Sequence, residues 1–160
     1  MLRVVQVVVC LGLISSGVGC TQSEGGAVEL SWLVRTPDGR TVADCSCADP
    51  AISHIRVELL GISPPNIKDS RPCTDRGSCT FSCDRGTGVT PLDIPEGNYA
   101  IQLMPLGADG KDLRPTGKVD VPPAIVREVV FGQVTGLGAL QVVVPCSTRC
   151  AATPTSTCKN

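Results

Sequence analysis

Aromatic residues are nearly absent from this chain: Trp32, Phe81, Tyr99 and Phe131 are the only four among 160 residues. So few rings argue against the stacking platforms with which proteins hold single-stranded nucleic acid or sugars. Histidine is scarcer still, with His54 alone. Hydrolase triads and histidine metal clusters have almost nothing to build on. Charge of one sign is missing too, since 14 basic and 15 acidic residues leave a net charge of −1. Without clustered Lys and Arg there is no electrostatic footprint for nucleic acid, and none is expected as a partner. No C-x-x-C pair occurs, and no cofactor or metal is expected. Aspartates beside glycines (Asp38, Asp109, Asp112) are too few and too far apart for a calcium site and read as turns.

Cysteine, glycine and proline are what the chain does have: 10, 17 and 13 residues respectively. Ten cysteines are unusual for a reduced compartment and ordinary for an oxidising one. The glycines and prolines point to many turns instead of long helices. With 42% apolar content, the length suits one domain with a genuine core.

The first nineteen residues have the parts of an export signal. Arg3 is the positive start, residues 4–14 ("VVQVVVCLGLI") are the apolar run, and Ser15, Ser16, Gly17 and Gly19 are the small residues before cleavage. The run is too short to span a bilayer comfortably. Gly17-Val18-Gly19 satisfies the small-x-small rule, so a secreted protein cleaved without lipidation is one reading. The other starts from "GVGC", which resembles the lipobox of bacterial lipoproteins, although Gly17 stands where that family usually carries Leu. The resemblance implies that Cys20 becomes the new N-terminus and carries a diacylglyceryl thioether. Parity favours it. Cys10 leaves with the signal, and a lipid-bearing Cys20 leaves eight cysteines: Cys45, Cys47, Cys73, Cys79, Cys83, Cys146, Cys150 and Cys158. In the lipoprotein family, Thr21 in place of Asp after the cysteine implies sorting to the outer membrane.

Four segments follow: a signal peptide over 1–19, lipidated Cys20 and a polar tether over 20–27, a β-domain over 28–145, and a Cys-rich tail over 146–160. Period-two alternation places Val28, Leu30, Trp32 and Val34 on one strand face. It does the same for Ile55, Val57 and Leu59, for Cys79, Phe81 and Cys83, and for Tyr99, Ile101 and Leu103. Shorter strands are predicted at 118–121, 127–131 and 139–144. The total is about seven strands without an amphipathic helix, which predicts an all-β fold: a single antiparallel β-sandwich, Ig-like or prealbumin-like, stapled by disulfides. "PDGRTVADC", "IRVEL", "CTFSC", "LDIPEGNYAIQL" and "ADGKDL" resemble the carboxypeptidase-regulatory-like or prealbumin-like sandwiches, and the chain resembles cysteine-rich lipoproteins of Gram-negative bacteria. That fold is an accessory module, so the resemblance implies scaffolding or binding without chemistry.

Eight cysteines allow 105 pairings. Cys45 and Cys47, two apart in an expected extended stretch, point the same way and should bond outward; so should Cys79 and Cys83. Five of the eight precede residue 90 and three follow 145, so complete pairing needs at least one bridge between the groups, tying the tail to the sandwich. A redox dithiol at "CSC", or zinc held by "CSC" and "CTFSC", lacks the right spacing. Trp32 and Tyr99 read as core, and His54 as an exposed polar residue on a strand. The expected protein is a non-enzymatic cell-envelope lipoprotein. It is held to the outer membrane through Cys20, on the periplasmic or surface face, with structural or protein-interaction work through loops or a strand edge. An envelope protein is the expected partner. The alternative is a small-ligand or carbohydrate-binding module using the loop at 61–72, its ligand unknown.

Overall fold

Strands form where the alternation is strongest. A computed structural model describes residues 24–73, 77–151 and 158–159; the signal peptide, Cys20 and residues 21–23 lie outside the described residues. Strand β1 (Ala27–Arg35) buries Val28, Leu30, Trp32 and Val34. The two longest partners in the second sheet, β3 (His54–Ser63) and β6 (Gly97–Leu106), bury Ile55, Val57 and Leu59, and Tyr99, Ile101 and Leu103. Each such side chain contributes on the order of 1.5–3 kcal/mol by leaving water. The remaining strands are β2 (Thr41–Val42), β4 (Thr80–Ser82), β5 (Thr87–Val89), β7 (Ile125–Val129), β8 (Val134–Val143) and β9 (Cys158–Lys159).

They make two sheets around one core, an all-β, sandwich-like arrangement. In the first sheet β8 runs along one side of β1, while β5, and β2 followed by β9, pair on from it. The second sheet has the order β4-β3-β6-β7.

An all-antiparallel arrangement fails at one pair. β1 and β8 run parallel, from Ala27 opposite Val134 to Arg35 opposite Val143. The path of the chain is the cause. β7 lies in the second sheet and β8 in the first, and the turn at 130–133 carries the chain across. β8 therefore starts at the end where β1 starts. Alternation assigns side chains to faces and carries no information about partner or direction.

Other strands shift for local reasons. β7 begins two residues before the predicted 127, where Ile125 lies opposite Ile101, and it stops at Val129 because Val130 and Phe131 are used in the turn. β8 begins at 134 instead of 139. Gly136 and Gly138 hide its alternation, and the ladder to β1 is irregular between Glu29 and Ser31, as glycine in a strand permits. At 118–121 there is only an isolated bridge between Asp120 and Val143. Cys45–Cys47 is a 3-10 turn instead of extended chain, because the Asp44 side chain accepts from the Ser46 N–H and caps it. Cys79 ends one short 3-10 turn and Cys83 begins another, either side of β4.

The strands run between two poles. One pole carries the start of β1, the end of β3, the loop at 90–96 and the turn at 130–133. Here the chain enters the domain through Gly25 and Gly26, whose N–H groups donate to Leu92 O (3.0 Å) and Ile94 O (2.8 Å). A Cβ on Gly26 would run into the carbonyl of Val130. Gly26→Ala is expected to cost on the order of 1–3 kcal/mol, read as a lowered thermal midpoint; an unchanged midpoint would mean the turn at 130–133 yields freely. Tyr99 is fully buried nearby, its hydroxyl donating to Pro95 O at 2.8 Å, and burial pushes its pKa up. Tyr99→Phe should cost about 1 kcal/mol, measurable by urea unfolding.

The loop at 107–117 folds onto the outer face of the second sheet. Arg114 grips Asp112 (2.8 Å) and Glu58 (3.2 Å) together. Burial works against the charge on Asp112, but hydrogen bonds from Arg114 outweigh it and hold the carboxyl below its ordinary 3.8. A carboxyl depressed on folding stabilises above its unfolded pKa, and that contribution fades as pH falls through the folded value. Stability is thus expected to drop below about pH 4. Thermal melts should show Asp112→Asn with a flatter acid limb than the parent, and parallel limbs would contradict the grip.

Candidate functional site

The opposite pole is built by cysteines. Bridges Cys45–Cys83, Cys47–Cys150 and Cys146–Cys158 gather there, and Cys73–Cys79 closes the end of the loop at 61–72. All eight cysteines from Cys45 onward are bonded. Neither neighbouring pair bonds to itself, and one bridge, Cys47–Cys150, joins the early group to the tail. With every sulfur of "CSC" and "CTFSC" in a bridge, no dithiol or four-thiolate set exists at these positions.

Backbone bonds fit the tail against the 3-10 turn. The Asp49 N–H donates to Pro145 O and the Ser147 N–H to Cys47 O, each at 2.8 Å. Between turn and tail lies a groove of about 520 Å³ whose polar lining is Ser46, Asp49, Ser147 and Thr148. A second hollow of about 420 Å³ adjoins it, sharing Ser46 and Ala51 and adding Ser53, His54, Ser82 and Asp84. Lys118 reaches Asp49 at 3.1 Å.

The histidine is exposed, as its alternation suggests. Its Nδ1 is hydrogen-bonded to the hydroxyl of its neighbour Ser53 at 2.8 Å. The nearby carboxylate of Asp84 is engaged elsewhere, accepting from the Cys45 N–H at 2.8 Å, so it supports the turn and does not orient the imidazole. Hydrogen bonds from Ser46 hold the Asp44 carboxyl below the usual carboxylate range. This pole offers hydroxyls and an imidazole to a polar group of a ligand, beside two carboxylates already held by Lys118 and the Cys45 N–H.

No family model, curated protein or solved structure matches the chain. The groove's chemistry rests on its own residues.

The other sequence-predicted positions lie elsewhere. Asp38 takes hydrogen bonds from Thr36 and Arg40 inside its own turn, and Asp109 pairs with Lys111. The loop predicted at 61–72 starts only after Ser63, where β3 ends; it sits at the chain-entry pole, folded back on the strand by Gly61 N–H to Ser70 O and Asp69 N–H to Gly61 O, with Ile67 buried in the core. It is away from the groove. What sequence reading missed is the groove itself. Ser46, Asp49, His54 and Ser147 come from segments with no shared pattern, and only the odd cysteine counts hinted that tail and turn would meet. Among the described residues no cluster of three or more His, Cys, Asp or Glu could hold a metal, and no helix is long and apolar enough to cross a membrane.

Proposed function

We propose that the protein is a non-enzymatic lipoprotein of the bacterial cell envelope, anchored in the outer membrane through Cys20 and presenting a disulfide-bonded binding domain. One observation carries this reading. The eight cysteines from Cys45 to Cys158 pair completely among themselves, so once the signal peptide leaves with Cys10, Cys20 has no cysteine in the chain to bond. The resemblance of "GVGC" to a lipobox gives that spare cysteine its use, a thioether to lipid. The bridges themselves suit an oxidising envelope compartment. Metabolic labelling with a clickable palmitate should mark the parent and spare Cys20→Ser; an unlabelled parent refutes the anchor and favours plain secretion.

The strand orders β5-β1-β8 and β4-β3-β6-β7 support a seven-strand prealbumin-like sandwich with β2 and β9 as short additions. Protein interaction is the work this scaffold suits best. Among the described residues β1 is the only strand neighbour of β8, which leaves the far edge of that ten-residue strand, up to the bridge between Val143 and Asp120, for strand addition. Pull-down from detergent-solubilised envelope, with Cys20→Ser as control, tests it. The polar groove favours a second reading, a small-ligand or carbohydrate module. Ligand-induced stabilisation in a thermal-shift screen, abolished by His54→Ala, would select that reading.

A further inference from the structure

The chain-entry pole carries apolar side chains that the core does not bury. Gly25 and Gly26 are held between two loops. The Gly132 N–H donates to Gly25 O at 3.0 Å and the Ala27 N–H to Gln133 O at 2.8 Å, while Leu92 O and Ile94 O accept from the glycines on the other side. Carbonyl oxygens of Ile94 and Val130 stand where side chains would be at these glycines. The path by which the chain leaves the domain is therefore set by close backbone packing.

On those same two loops, apolar side chains face water. Leu92 is 42% exposed, Phe131 53%, and Val134, just after the turn, 51%. Phe131 is the one aromatic outside the core, since Trp32, Phe81 and Tyr99 are all buried. A tight turn before Gly132, at φ 70°, asks for a small or polar residue at its tip. Here it carries phenylalanine. The sequence between Cys20 and Gly25 is five Cα steps long, which spans at most about 18 Å.

We propose that this pole is a membrane-contact face. Leu92, Phe131 and Val134 rest in the interfacial layer of the bilayer that holds the acyl chains of Cys20, a proposal that rests on the lipid-anchor reading. The short link keeps the pole at the headgroups once the acyl chains are inserted, and exposed apolar side chains gain by entering the acyl boundary. Glu24 and Glu96 are exposed at the same pole, and so are Lys68 and Arg71 of the neighbouring loop, so the pole carries both signs of charge and its attraction to lipid comes from the apolar side chains. Seated this way, the strands rise from the membrane. The nine residues of β1, at about 3.3 Å each, set the disulfide pole and its groove roughly 30 Å out. The groove then faces away from the lipid.

The test uses the full chain, expressed with its export signal, purified and reconstituted into phosphatidylcholine–phosphatidylethanolamine vesicles with acyl-brominated phosphatidylcholine. Tryptophan is placed at the pole by Phe131→Trp and, separately, by Leu92→Trp, and at the opposite pole by Ala108→Trp, since Ala108 is exposed and lines the hollow beside His54. The first two are expected to show about two-fold bromine quenching with a blue-shifted emission, and Ala108→Trp and the buried Trp32 of the parent neither. Intact mass separates two ways of failing. A chain without the diacylglyceryl group on Cys20 overturns the anchor, and the contact face with it. A lipidated chain whose Phe131→Trp and Leu92→Trp forms are no more quenched than Ala108→Trp overturns the contact face alone.

Discussion

A Cys47→Ala, Cys150→Ala double variant is expected to melt on the order of 10 °C below the parent, because about 3 kcal/mol is lost at about 3–4 °C per kcal/mol. The bridge closes a sequence separation of 103 residues, and long closures restrict the unfolded chain most. A chain-entropy estimate for such a loop gives about 4.7 kcal/mol as the upper figure. Cys146–Cys158 cannot replace it, since both of its ends lie in the tail. Without Cys47–Cys150 the tail is left with the two-residue β2–β9 pairing and a few backbone bonds to the turn. Scanning calorimetry without reductant checks this, with Cys73→Ala, Cys79→Ala as the contrast, a bridge spanning only 6 residues. The short bridge should cost about 2 kcal/mol. Equal losses from both pairs would sink the loop-length account. The double variant should also gain protease cleavage in the tail, and with it lose the groove between tail and turn.

Trp32→Ala comes next, with an expected loss of about 3–5 kcal/mol. The indole sits in the first sheet and does three things at once. It fills the core at 2% exposure, lies against the Phe81 ring with centroids 6.2 Å apart, and donates its Nε1–H to Cys83 O at 2.7 Å. Cys83 is bridged to Cys45, so the indole ties β1 to the disulfide pole. Trp32→Phe separates the effects. It keeps most of the ring and leaves the Cys83 carbonyl without that donor, at a cost of about 1–3 kcal/mol. Urea unfolding followed by far-ultraviolet circular dichroism reads both variants. If Trp32→Phe proves as damaging as Trp32→Ala, the lost hydrogen bond dominates and packing volume adds little.

The two effects come from different levels of organisation. Trp32 is legible as core because its neighbours Leu30 and Val34 share its face, and alternation is a local property of the chain. The inward faces of β1, β3 and β6 were legible for the same reason. β5 was not, because three residues in "RGTGV" offer no alternation to read. It exists as a strand because Glu29, Leu30 and Ser31 of β1 supply its hydrogen bonds. The groove was hidden for a similar reason, since its walls come from residues about a hundred positions apart.

By itself the sequence determined the apolar faces, the all-β character and, from the odd cysteine counts, the need for at least one bridge from tail to domain. These follow from short-range periodicity and from counting, which need no coordinates. Only the tertiary structure decided which cysteines bond, that β8 lies parallel to β1, and that Leu92 and Phe131 flank the point where the chain enters the fold. Pairing, strand direction and shared surface depend on how distant segments approach one another. That approach is set by the packing of two sheets around one core, and no local pattern encodes it.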